Sequence, residues 1–506
     1  MKRAVVFMAA CVVLAGCGRT PPPAPTKTED SPVVLMPVSA DPTISFSVQF
    51  AVGSQNDPPG KEGLAFLTGQ MLVDAATEAR SLDQILAALY PLAASYNIRV
   101  DRERSTLTGR VHRDNLDAYL ELFTDAFLHP KFAATDFERV RSDAVNYLEN
   151  TLRYSSDEEL GKAALNAFVF RGTSYAHPTD GTVAGLKAIT LDDVRAFYRQ
   201  YYTAGNVLLG MGGGFDDALV ARMEAALKRL PAGGGPAAPE IAPASGNDRS
   251  AVLIDKPGAD ASISFGFPLD VHRGDRDFYA LWIANSWLGE HRNQASHLFE
   301  VIREVRGLNY GDYSYIEAFP EGGQRNMPPV NVARRHQMFE VWIRTLPNAN
   351  APFALRAALR EVQSLVDNGM TAEDFELTRT FLKKYSLHFA ETTSARLGYA
   401  MDDKFYGIDG DGHLTRFRRM MDELTVNDVN AAIKKHLQYK NLKIAIVTGD
   451  TASIRAALTS EAPTPVTYST PKSDEVLQED REIASVPFGI SPERIGSIPV
   501  TEAFER

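Results

Sequence analysis

Two stretches of this chain repeat one pattern, and that repeat limits the folds open to it. Residues 189–214, ITLDDVRAFYRQYYTAGNVLLGMGGG, and residues 424–449, LTVNDVNAAIKKHLQYKNLKIAIVTG, align without a gap at an offset of 235. Each opens on a threonine N-cap with an acidic first turn, which satisfies free amides and suits the positive end of the helix dipole. Each continues as an amphipathic helix, turns at an asparagine (Asn206, Asn441) and ends in an apolar strand closed by glycine. The half-starts match too. Residues 43–52 alternate as a half-buried strand leading to a helix near Glu62, and residues 261–267 alternate similarly before a helix from about Asp277. A chain of 506 residues is too long for one core, and this period is too long for a solenoid.

Residues 231–250, PAGGGPAAPEIAPASGNDRS, carry no periodic hydrophobicity and read as a linker between halves at 33–230 and 251–460. In the first half, residues 97–101 and 105–111 read as strands, and 114–128 and 135–152 as helices. The expected fold is α+β: duplicated two-layer units, each an antiparallel sheet with helices on one face, forming two homologous halves of a clamshell. Residues 461–506 have prolines, acidic residues and spaced apolar anchors (Val476, Leu477, Ile483, Phe488, Ile490) and read as an extended strap on the body or on a partner.

The start of the chain points to export. Met1-Lys2-Arg3 precedes a short apolar run, so residues 1–16 read as a signal peptide, too short for a mature spanning helix. The run ends Leu14-Ala15-Gly16-Cys17, which resembles the lipobox of bacterial lipoproteins. Cys11 leaves with the signal, so Cys17 is a lone mature cysteine suited to lipidation, and the Pro-rich residues 17–32 read as a lipidated tether. The expected location is the periplasmic face of a bacterial membrane, the outer one because Gly18 is not a retention aspartate. A net charge of −11 without a basic block argues against nucleic acid as a partner.

One helix carries the chemistry in question. Gly63-Leu64-Ala65-Phe66-Leu67-Thr68-Gly69-Gln70-Met71-Leu72 resembles the zinc helix of the pitrilysin/insulinase peptidases, including the processing peptidases. There the pattern is Gly-Leu-Ala, His-x-x-Glu-His, Met-Leu: two histidines on successive turns hold zinc and the glutamate activates water. Here Phe66 and Gln70 stand in place of the histidines and Gly69 in place of the general base. The third ligand of that family falls near Val145-Asn146-Tyr147, where there is no carboxylate, although Glu149 is close. The resemblance therefore implies a degenerate zinc motif, no metal ligand set in this chain and no cleavage by the chain alone. Among the ten histidines, His291 and His297 flank a polar run and read as a solvated loop or helix start rather than a metal site.

Further motifs fall in family order over roughly residues 33–460: Ser174-Tyr175-Ala176-His177-Pro178 with Gly181-Thr182, where His177 reads as structural, and Ile302-Arg303-Glu304-Val305-Arg306-Gly307-Leu308-Asn309-Tyr310. The glycine-rich run expected before the latter is replaced by a charged one, 290–296. In the family an arginine and a tyrosine seven residues later bind substrate backbone near the scissile carbonyl, and Arg303 and Tyr310 keep that spacing. A planar cation and a phenolic donor suit developing negative charge on a carbonyl oxygen. The resemblance implies a non-catalytic subunit of a metalloendopeptidase heterodimer. Arg303 and Tyr310 would serve a His-x-x-Glu-His partner that holds the zinc, with unfolded peptides as substrates. A pseudo-peptidase scaffold, or a peptide-binding lipoprotein without a proteolytic role, is the alternative.

Overall fold

The computed structural model describes residues 33–243, 248–320, 331–460 and 462–506. The signal peptide, Cys17 and the tether lie outside them. In the first half the strands are β1 (Val33–Pro37), β2 (Thr43–Phe50), β3 (Ser95–Val100), β4 (Ser105–His112) and β5 (Val207–Gly213). Its helices are α1 (Leu64–Val73), α2 (Leu82–Leu89), α3 (Leu116–Leu128), α4 (Ala134–Asn146), α5 (Asp157–Val169), α6 (Val183–Ala188), α7 (Leu191–Tyr201) and α8 (Asp217–Leu227). The second half and tail hold β6 (Ser250–Asp255), β7 (Ala261–Leu269), β8 (Asp312–Tyr315), β9 (Gln337–Leu346), β10 (Lys443–Thr448) and β11 (Ile495–Pro499). Their helices are α9 (Arg276–Gly289), α10 (Ala351–Asn368), α11 (Ala372–Tyr385), α12 (Thr393–Tyr406), α13 (Gly412–Glu423), α14 (Val426–His436), α15 (Thr451–Thr459) and α16 (Asp474–Ile483).

The fold is α+β and duplicated. Strand order is β1-β5-β2-β4-β3 in one sheet and β11-β6-β10-β7-β9-β8 in the other, so the second repeats the first with β11 added at its edge. The repeated helices α7 and α14 start alike: Thr190 and Thr425 each form a capping box with an aspartate three residues on, Asp193 and Asp428. Two details differ from the expected antiparallel two-layer unit. First, β1 runs parallel to β5 and β6 parallel to β10. The short connections after β1 and β6 pass the end of the middle strand, which is therefore flanked in opposite senses.

Second, each sheet is covered on both faces, because the halves exchange a helix: α5 packs on β7 and β10, and α12 packs on β5 and β1. This is why β2 and β7 are buried along nearly their whole length although they alternate in sequence. The serines of β2 lie under the exchanged helix, where Ser45 Oγ meets Ser394 Oγ at 2.6 Å. The glycines of β5 let α12 approach: a Cβ on Gly210 would lie 2.7 Å from Met401 Sδ. Two apolar clusters sit between the sheets and their own helices. A third joins α5 to the second sheet and includes Val500 and Ala503 from the tail. Among the described residues no helix is long and apolar enough to cross a membrane.

The tail carries a helix, α16, as well as extended chain. Arg306 and Arg356, both nearly inaccessible, fix it: Arg306 Nε donates to Asp480 Oδ1 at 2.8 Å and Arg356 Nη1 to the Ala484 carbonyl at 2.5 Å. Then β11 pairs with β6, and the last residues reach the first half, where the Phe504 carbonyl accepts from Val183 N at 3.0 Å.

Candidate functional site

The start of α1 is set by a buried carboxylate. Asp57 Oδ2 and Oδ1 accept from the amides of Gly63 and Ala65 at 2.7 Å each. Burial pushes this carboxyl up to about 8, while the two amides pull the other way. His177 stands beside it, Nε2 3.9 Å from Asp57 Oδ2 and Nδ1 2.8 Å from the Pro178 carbonyl oxygen. Desolvation lowers its pKa. His177 thus buttresses the entry to α1.

Along α1, Phe66 and Gln70 face a cavity between the halves. Gly69 faces β3 instead, and a Cβ there would lie 2.6 Å from Val100 Cγ2. The room that a general base needs is occupied by the strand. In the third-ligand region, α4 passes into a π-helical turn over Tyr147–Leu152, and Tyr147 lines the cavity. Glu149 turns away to Lys187 Nζ, 3.0 Å distant and exposed. Among the described residues no group of three His, Cys, Asp or Glu side chains could hold a metal. A phenyl ring, a carboxamide and a packed glycine do not fit zinc, so no catalytic step can be routed through it here.

The cavity has a volume of about 410 Å³. One wall is residues 98–102, the end of β3 and the start of the turn after it, and β3 is an edge strand whose outer side pairs with no other strand among the described residues. The facing wall is β9, which alternates: Phe339, Val341 and Ile343 enter the core, while Met338, Glu340 and Trp342 face the cavity. The exchanged helix α5 runs across β9, with Glu158 Oε2 3.0 Å from Arg344 Nε and Lys162 Nζ 3.5 Å from the Trp342 ring centre.

The two residues with the family spacing lie outside this cavity's lining. Arg303 sits on a π-helical turn, Phe299–Glu304, with its guanidinium 4.7 Å from the Phe299 ring centre and a contact to Glu304. Tyr310 is 78% exposed. Arg306, three residues on from Arg303, is the buried anchor of the tail described above. His291 and His297 are half-buried: the polar run between them is a turn, and His297 stands at the helix start that follows it. His291 stacks on Phe319 at 4.4 Å with Nδ1 2.5 Å from Tyr315 Oη, and His297 stacks on Trp287 at 4.4 Å with Nε2 2.6 Å from Glu361 Oε2.

Sequence reasoning missed the β3–β4 turn, Asp101-Arg102-Glu103-Arg104, all four residues of which are buried. Asp101 binds Arg334 Nη2 at 2.7 Å, Glu103 binds Arg335 Nη1 at 2.7 Å, and Arg104 Nη1 binds Asp402 Oδ1 at 2.9 Å. Asp402 also takes Arg273 Nη1 at 2.9 Å. These pairs bolt one half to the other at the rim of the cavity.

The duplicated fold, the helix with other residues at the metal-ligand positions and the cavity beside it define a peptidase-like protein. Residues 33–183 match the family model "Insulinase (Peptidase family M16)" and residues 188–382 match "Peptidase M16 inactive domain". The chain belongs to the insulinase family. An uncharacterized zinc protease of Streptomyces coelicolor is 26% identical over 288 residues, 55% of this chain and 61% of that protein. One of Mycobacterium tuberculosis is 24% identical over 408 residues, 80% of this chain and 87% of the relative. The crystal structure of a peptidase M16 inactive domain from Pseudomonas fluorescens superposes with a TM-score of 0.72 at 24% identity, covering 82% of this chain and 94% of that one.

Proposed function

We propose that this chain is the non-catalytic, peptide-binding subunit of a zinc-dependent metalloendopeptidase. It supplies Arg303 and Tyr310 to a partner chain whose helix keeps His-x-x-Glu-His and holds the zinc. The observation that carries this reading is α1: it keeps the flanks of the motif, while Val100 fills the space beside Gly69. The exposed Tyr310 ring leaves its face and hydroxyl accessible to a substrate or a closing partner. The open edge of β3 offers backbone pairing to an extended peptide. Export and a lipid anchor on Cys17, at the periplasmic face of the outer membrane, complete the proposal.

The test is purification of the tagged chain from its own host, with metal analysis and a peptidase assay. Zinc is expected in a co-purifying chain and not in this one, and cleavage is expected only with both. Stoichiometric zinc and peptide hydrolysis by the isolated chain would refute it. Recovery without any peptidase partner would favour the scaffold alternative.

A further inference from the structure

We infer that Glu340 is the anchor for a cationic group, a lysine or arginine side chain of an extended peptide, within the cavity between the halves. This rests on the peptide-binding reading above and names what that site prefers.

The inference comes from a ladder with one rung left incomplete. Side chains four apart on α5 advance about 6 Å along the helix, and side chains two apart on β9 advance almost the same, about 6.7 Å. The two elements therefore match rung for rung. On the first rung Glu158 takes Arg344 at 3.0 Å. On the second, Lys162 lies 3.5 Å from the Trp342 ring centre and is held by Glu158 at 3.0 Å and Glu159 at 2.9 Å. The third rung matches Glu340 with Asn166, which carries no charge. The Asn166 amide instead donates to the Tyr175 carbonyl at 2.8 Å, and Asn166 and Glu340 both line the cavity.

Glu340 is 5% exposed, and Trp342 Nε1 donates to its Oε2 at 3.0 Å. No ion pair to it occurs among the described residues, and the nearby cations are committed: Lys162 as above, Arg334 to Asp101 at 2.7 Å. A buried carboxylate without a cation is costly, and a ligand that brings one gains the pairing and relieves that cost. Trp342 and Phe319, both in the cavity lining, give apolar walls for the stem of a long basic side chain. A metal ion is the wrong cation here, since no three suitable ligands converge among the described residues. A peptide laid along β3 would enter the same cavity, so backbone pairing and side-chain anchoring act together.

The experiment uses the purified full chain and fluorescein-labelled, unstructured nonapeptides of alanine, serine and valine. Each carries one arginine, moved through the positions, or its neutral isostere citrulline at the same place. In anisotropy titrations at low salt, one arginine register is expected to bind at least tenfold more tightly than its citrulline twin. Glu340→Gln is expected to bring the two within twofold. Peptides that bind equally with arginine or citrulline overturn the inference and leave the peptide-binding reading standing. Failure of every peptide to bind overturns both. The arginine–citrulline comparison needs no variant, so it decides the matter even if Glu340→Gln does not fold.

Discussion

Val100 stands where a side chain on Gly69 would have to begin: a Cβ there lies 2.6 Å from Val100 Cγ2. Two effects oppose each other in Gly69→Ala. Alanine favours a helix interior over glycine by about 1 kcal/mol, while overpacking a filled site costs about 1–3 kcal/mol. The strand is hydrogen-bonded to β4 along its length and cannot retreat cheaply. The clash should win, with a net loss of about 1 kcal/mol in urea unfolding. Combined with Val100→Ala, the alanine should cost less than the two single changes summed, a coupling of about 1 kcal/mol.

The same geometry bears on restoring the motif. Phe66→His, Gly69→Glu and Gln70→His together should not bind zinc stoichiometrically, as measured by metal analysis after dialysis. The new glutamate has no room beside Val100, and Glu149, the carboxylate closest in sequence to the third-ligand position, lies outside the cavity lining and is held by Lys187.

Arg303 and Arg306 lie three residues apart and should behave as opposites. Arg306 is 3% exposed and pairs with Asp480 and Glu479 at 2.8 and 2.7 Å. Arg306→Ala leaves the buried Asp480 without its cation, while Glu479 keeps Arg360 at 2.8 Å, and should cost about 3–5 kcal/mol of stability. Arg303→Ala should leave thermal unfolding unchanged within about 0.5 kcal/mol. With the catalytic partner present it should lower kcat/KM about a hundredfold, the scale of losing one donor to a developing oxyanion. Equal melting losses in the two variants would show Arg303 to be structural.

What the sequence revealed depended on whether the partners of a residue were local. The duplication was legible because Thr190 with Asp193 and Thr425 with Asp428 cap their helices within four residues. The replacement of the motif residues was legible because its three positions, Phe66, Gly69 and Gln70, lie on one helix. The turn Asp101–Arg104 was not: four charged residues between strands look like a solvated tip. They are buried because Arg334, Arg335 and Asp402, more than 200 positions later, meet them across the halves. The exchanged helices were hidden for the same reason. An alternating strand looks half-exposed until α5 or α12 arrives from the other half.

The bolt between the halves can be broken at one atom pair's distance. Asp402, 7% exposed, joins Arg104 of the first half to Arg273 of the second, at 2.9 Å each. Arg273 keeps Glu317 at 2.8 Å, so Asp402→Ala leaves Arg104 as the uncompensated charge. A loss of about 3–5 kcal/mol is expected, read as a lower urea midpoint. Cleavage by trace protease should then fall in the 231–250 connection first. Unchanged proteolysis would mean that the exchanged helices, with the Asp101–Arg334 and Glu103–Arg335 pairs, hold the halves without Asp402.

Glu340 sets a pH dependence whose sign follows from burial. Desolvation raises its carboxyl to about 7, against an ordinary 4.5, with Lys162 and Arg334 pulling it down and Glu159 pushing it up. Between those two values the folded chain holds a proton that the unfolded chain has released. This group's favourable contribution is therefore complete below about pH 4.5 and is lost as pH rises through about 7. The whole change is on the order of 3 kcal/mol at most. Glu340→Gln fixes the neutral form and should remove that slope. Urea unfolding at intervals from pH 5 to pH 8 should show the wild-type curve falling relative to the variant, with the gap closing toward pH 5. A gap that stays constant across the range would mean that Glu340 is already ionised in the folded chain.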